Sequence, residues 1–177
     1  FLTTLMMVAV LGILHVPAVS AQSATPIAIP TVTTTGCDQV PAYAEARQQI
    51  MNELIDGIAA VFPAVPTPIT EHGDVLAAAI LSMNPDQTEK LAELYDEIAN
   101  KIEKIDAPEI AVFYDDQVVE LYRLSAKTFL EIQKTDFMTA GQMYGEQLGA
   151  TADAIDKYGK AAAAACPAFS QVIEVDQ

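Results

Sequence analysis

Cys37 and Cys166 are the two cysteines of this 177-residue chain, and they bracket every long helical pattern in it. In an exported chain, two cysteines read most simply as one disulfide. A disulfide needs its Cα atoms within about 7 Å. A Cys37–Cys166 bond therefore brings both ends of the helical region together, which sets the parity of the long helices. Four antiparallel helices return the chain to the end where it began, whereas five would leave its ends roughly 35 Å apart at 1.5 Å per residue. Other roles for Cys37 fit less well. Thr34 to Cys37 loosely resembles a lipobox, but Thr34 stands where leucine is expected. A catalytic thiol needs a base, and His72 is the one histidine downstream of the leader.

Export is itself read from residues 1–21. Leu5 to Leu14 is an apolar run of signal-peptide length, too short to span a bilayer comfortably. Val19, Ser20 and Ala21 place small residues before a cut after Ala21. The basic residues of a leader are expected upstream of Phe1; the competing reading is a short anchor that stays attached. Residues 22–36 follow, rich in Thr and Pro, without charge or period, and read as a disordered linker. The helical domain is expected over 37–169, with residues 170–177 as a C-terminal tail.

Within that domain the longest pattern starts at Glu109. Ile110, Tyr114, Val118, Leu121, Ser125 and Ile132 make one stripe, widened by Ala111, Tyr122, Ala126 and Phe129 on one side and by Phe113 and Leu124 on the other. A helix this apolar needs several neighbours to cover it. The first such neighbour runs from Pro41 to about Phe62, carrying Tyr43, Ile50, Leu54, Ile58 and Val61 on one face. Val75 to Met83 is short and apolar on every side, with Thr70 as its cap, so it is expected to be buried or to plug an end of the core. Asn84, Pro85 and Gln87 form a restart signal for a third helix through Ile105, and Asp106 to Glu109 repeats the capping pattern before the central helix. A last helix runs to about Ala165, with Tyr144, Leu148, Ile155 and Ala162 inward. Beside that face lie Gly141, Gly145, Ala152, Gly159 and Ala163, a small-residue stripe that predicts a close helix contact; Ala140 is read as lying off it, at a roomier site. The fold expected is all-α, an up-down-up-down four-helix bundle with a short extra apolar helix between the first and second long helices.

Two charges interrupt the apolar faces. Arg47 points into the stripe of the first helix, and Asp115 falls between Ala111, Val118, Tyr122 and Ala126 on the flank of the central one. A buried acid must be paired or protonated. Arg47 and Asp115 are therefore a candidate buried ion pair, with Asp153 and Glu146 as other acids that could serve Arg47; the competing reading has both side chains snorkelling to the rim. Tyr43, Tyr95, Tyr114, Tyr122 and Tyr144 lie on or near core faces, where they either pack or line a ligand pocket.

The rest of the composition argues by exclusion. The chain has 24 acidic and nine basic residues, a formal net charge of -15, with no basic cluster. That argues against nucleic acid and against an anionic membrane surface as partners. Glu89, Glu93, Asp96, Glu97, Asp116 and Glu120 read as a solvated face, with weak calcium binding as the other option. The chain lacks Glu-x-x-His pairs, a twelve-residue calcium loop and a phosphate loop, so no catalytic set, metal or cofactor is assigned. The function expected is that of a secreted or periplasmic, acidic, non-catalytic protein acting in extracytoplasmic binding or protein interaction, its partner an unidentified protein or small apolar ligand. The alternative is a carrier of a small apolar ligand between its helices, followed by a carboxylate metal-binding bundle or enzyme.

Overall fold

The computed structural model describes residues 26–176, except the side chain of Thr70; the expected signal peptide and the proposed Thr70 cap lie outside the described residues. Every regular element among the described residues is helical: α1 (Val40–Val61), α2 (Gly73–Leu81), α3 (Pro85–Ile102), α4 (Glu109–Lys134), α5 (Phe137–Ala165) and α6 (Ser170–Val175). Short 3-10 turns at Cys37–Gln39, Ile69–Glu71 and Pro167–Phe169 precede α1, α2 and α6.

Local chemistry sets most of the boundaries. Pro41 sits in the first turn of α1, where its missing N–H costs nothing. At α3, the Asn84 side chain accepts from Gln87 N at 2.9 Å while Gln87 Oε1 accepts from Asn84 N at 3.1 Å, a complete capping box. Asp136 caps α5, accepting from Thr139 N at 2.9 Å. The start of α4 differs from the sequence expectation. Asp106 does not cap it; the helix begins after Pro108. The Ile110 N–H instead donates to the Thr35 carbonyl at 3.2 Å, so the linker's last turn supplies the acceptor. Gly36 makes this docking feasible: its φ is 81°, and a Cβ there would meet Pro108 Cβ at 2.8 Å.

Cys37 and Cys166 are joined, with Cα atoms 5.9 Å apart. Around them one end of the core is filled by Val40, Ile110, Ala162, Phe169 and Val172, each fully buried. Contacts between elements pair them in a definite register. Gln87 Nε2 of α3 reaches the Val61 carbonyl of α1 at 3.2 Å, and Lys101 near the other end of α3 pairs with Glu53. Gln133 Nε2 of α4 donates to the Pro85 carbonyl at 2.6 Å, and Arg123 pairs with Glu103 just past the end of α3 at 2.7 Å. Tyr158 of α5 donates to the Ile110 carbonyl of α4 at 2.9 Å, while Leu148 packs with Leu121 and Leu124 in a separate small cluster.

Several expectations need revision. Residues 170–176 are not a loose tail: α6 packs on α1, with Val172 fully buried. Only one face of α2 is covered. Leu76 and Ile80 are buried, whereas Val75 is 46% and Leu81 54% exposed. Ala140 is fully buried and Gly145 only half-buried. Ala140 precedes Tyr144 by one helical repeat of four and Leu148 by two, so it belongs to their inward face rather than outside it. Close approach on the small-residue stripe is seen at Gly159, where a Cβ would meet Tyr114 Cε2 at 3.2 Å and Ile173 Cδ1 at 3.4 Å.

Candidate functional site

The inward face of α1 carries Tyr43, Arg47 and Met51 at successive turns, so Arg47 points into the core among apolar neighbours. Its side chain has no exposed surface. A guanidinium in that position must have its charge and its five donors answered by the protein. Two carboxylates do most of this. Arg47 Nη1 lies 2.8 Å from Asp115 Oδ1 on α4. Arg47 Nη2 donates to both oxygens of Asp176, at 2.7 and 2.6 Å. The Tyr43 hydroxyl donates to the same Asp115 oxygen, and Arg47 Nη1 also lies 3.4 Å from the Tyr43 oxygen. Among the described residues, Arg47 Nε and Asp115 Oδ2 are buried side-chain atoms without a hydrogen-bond partner.

The cluster holds one cation against two acids. Both acids are buried, Asp115 7% and Asp176 5% exposed. Burial raises the Asp115 pKa to about 6, with Asp176 and Asp116 pushing the same way, while Arg47 and the Tyr43 hydrogen bond oppose the rise. Burial also acts against the charge on Arg47, but Asp176, Tyr43 and Asp115 outweigh it and hold the guanidinium protonated. The phenols of Tyr43, Tyr114 and Tyr122 are raised first by burial, with Asp176 contributing to each. Arg47 and the tyrosines therefore keep their protons at any ordinary pH. Asp115 can take up or release one near neutrality.

The five tyrosines considered for a pocket do not gather around one opening. Tyr95 meets Tyr122 and Phe129 edge to face, both at 5.4 Å between ring centres. Tyr114 meets Phe169 in the same way at 5.4 Å. Tyr122 also donates to Met51 Sδ at 3.5 Å. Tyr43 belongs to the ion cluster, and Tyr144 packs with Leu121, Leu124 and Leu148. The acids on the outer face of α3 are exposed, with Lys101 bridging Glu97 at 2.6 Å. Among the described residues, no three His, Cys, Asp or Glu side chains stand together as metal ligands. Among them, too, no helix is long and apolar enough to cross a membrane.

Sequence reasoning did not reach Asp176. It follows a six-residue helix with one buried anchor and lies beyond the last long amphipathic pattern. A second signal was available in Arg47 itself: a fully buried guanidinium presents more donors than one carboxylate can accept. No family model matches the chain, and no curated protein or solved structure matches it.

Proposed function

We propose that this is an exported, acidic, non-catalytic protein whose α1, α3, α4 and α5 form an up-down-up-down four-helix bundle, with α2 between the first two, and that it acts by binding a protein partner outside the cytoplasm. The alternating direction is supported by register. The end of α1 meets the start of α3 at Val61 and Gln87, the start of α3 meets the end of α4 at Pro85 and Gln133, and the start of α4 meets the end of α5 at Ile110 and Tyr158. Export is supported by the Cys37–Cys166 bond, which persists in an oxidising compartment.

One observation carries the binding reading over the carrier reading: the interior aromatics are spent on one another, while large apolar side chains stand at the surface. Tyr95, Tyr122 and Phe129 interlock, as do Tyr114 and Phe169. Val75 and Leu81 on α2 and Met143 on α5 are each about half exposed (46%, 54% and 54%). Such residues contribute to association when a partner covers them. Native mass spectrometry of protein taken from its own host, with and without Leu81→Ser and Met143→Ser, tests this. A co-purifying protein that is lost in those variants is the expected result. A small apolar molecule retained in all forms would move the assignment to a carrier.

A further inference from the structure

Helix α6 is held to the bundle by few elements. It is six residues long, has no side-chain cap, and is seated by Phe169, Val172, Ile173 and the contacts of Asp176 with Arg47 and Tyr114. A helix of that length has no stability of its own. The disulfide ties Cys166 to Cys37 before the Pro167–Phe169 turn, so it anchors the end of α5 and leaves α6 held by non-covalent contacts alone.

What it docks against is a guanidinium already engaged by another acid. Asp176 and Asp115 share Arg47, so the docked state encloses two carboxylates with one cation. Burying the extra negative charge is unfavourable. A single proton removes it, and the geometry shows where that proton can sit. Both oxygens of Asp176 accept from Arg47 Nη2, and Asp115 Oδ1 accepts from Arg47 and Tyr43. Asp115 Oδ2 accepts from no group among the described residues, so protonation there displaces none of these hydrogen bonds.

We propose that the Tyr43–Asp115–Arg47–Asp176 cluster is a proton-dependent latch, in which proton uptake by Asp115 tightens the seating of α6 and proton loss loosens it.

The coupling follows from what α6 removes when it leaves. Undocking takes away the negative charge of Asp176, frees Arg47 for Asp115 alone, and lets water reach the carboxyl. All three changes favour ionised Asp115. Binding linkage is reciprocal, so protonated Asp115 must favour docked α6. The charged and titratable groups facing Asp115 are Arg47 and Tyr43 from α1, Asp176 after α6, and Asp116 on its own helix. Tyr114 and Tyr122 also lie on α4, Tyr114 against Asp176, while Tyr95 from α3 stacks on Tyr122 and Tyr158 from α5 bonds the Ile110 carbonyl; these phenols stay protonated across the window concerned.

Hydrogen exchange of the α6 amides in the oxidised full chain tests the latch, read from pH 5 to 7.5 and corrected for intrinsic exchange. One proton allows at most about a tenfold change in opening per pH unit. The α6 opening constant is expected to rise by roughly tenfold or more over this range, while α4 amides stay protected. In Asp115→Asn the dependence should vanish with α6 docked throughout. In Tyr43→Phe, which removes a donor that favours ionised Asp115, the rise should move to higher pH. The latch is overturned if Asp115→Asn keeps the wild-type pH dependence. It is equally overturned if Tyr43→Phe leaves the midpoint in place, or if α6 exchanges only together with α4.

Discussion

Arg47 Nη2 is bonded to both carboxylate oxygens of Asp176, at 2.7 and 2.6 Å, across a sequence separation of 129 residues. The disulfide spans the same separation, from Cys37 to Cys166. The two long-range ties are displaced by ten positions at both ends, so they clamp neighbouring levels of the same end of the molecule. One is covalent and indifferent to pH. The other shares its cation with Asp115 and so responds to protons.

Replacing the cation leaves two enclosed acids without the positive charge they share. Arg47→Met should therefore destabilise the protein by about 3–5 kcal/mol at pH 7, the usual cost of breaking a buried pair from one side. Removing the whole set together is a different experiment. Arg47→Met combined with Asp115→Leu and Asp176→Leu should recover most of that loss, because no uncompensated charge remains. Urea midpoints of the single and triple variants decide the matter. A triple variant no more stable than the single one would mean that the ions act through specific geometry rather than through charge balance.

The pH dependence has a definite sign. An unfolded aspartate titrates near 3.9, whereas Asp115 in the folded chain is raised to about 6. Below the lower value both states hold the proton and Asp115 contributes nothing. Between the two the folded state alone holds it, so stability falls as pH rises. Above about 6 the full cost is present, on the order of 3 kcal/mol from such a shift. The stability of Asp115→Asn relative to wild type should accordingly increase between pH 4 and pH 6.5. Urea unfolding at intervals across that range measures it, and a flat difference would contradict the assignment.

Periodicity carried the long helices because each has one inward face at the spacing of the α-helix. Arg47 and Asp115 were visible for the same reason, as single charges on stripes that were otherwise apolar; they lie 2.8 Å apart. Asp176 was not, since a six-residue helix is too short to display a period. The cap of α4 was misread for a different reason. Its acceptor is the Thr35 carbonyl, a backbone group that every residue owns and that no side-chain pattern can announce. The half-bare α2 shows the limit of composition: nine residues that look apolar all round are covered only where Leu76 and Ile80 meet the core.

Gly36 is held in the left-handed region, with φ 81° and Pro108 Cβ 2.8 Å from where its own Cβ would lie. Gly36→Ala meets both the backbone penalty, about 1–2 kcal/mol, and a clash with a rigid ring. Loss of the Thr35 to Ile110 bond should follow, since Gly36 sets the direction of that carbonyl. Thermal melts should show the destabilisation, and hydrogen exchange should show faster opening at Ile110. An unchanged Ile110 amide would separate the turn from the cap.

At α5 the tight position is Ala140, fully buried, rather than the half-buried Gly145. Ala140→Leu should cost about 1–3 kcal/mol from overpacking. Gly145→Leu starts from a half-buried position and gains up to about 1 kcal/mol of helix propensity, so its midpoint should move less than that of Ala140→Leu. Parallel denaturant melts compare them, and a larger loss at Gly145 would show that the glycine stripe, not the Tyr144 face, is the closest contact.

Closing the chain between Cys37 and Cys166 should stabilise by roughly 4–5 kcal/mol in the chain-entropy model, given the sequence separation of 129. The paired Cys37→Ser and Cys166→Ser variant tests this against wild type under oxidising conditions. Its effect should also be local in the native state. Cys166 lies directly before the Pro167–Phe169 turn, and that turn places Phe169 against Tyr114. Without the bond, the last turn of α5 and α6 should exchange hydrogen faster than α3, whose contacts with α1 and α4 do not involve either cysteine. A uniform increase in exchange across all helices would mean that the bond acts on the unfolded chain alone. A local increase would show that it also holds the seat into which Asp176 brings its carboxylate.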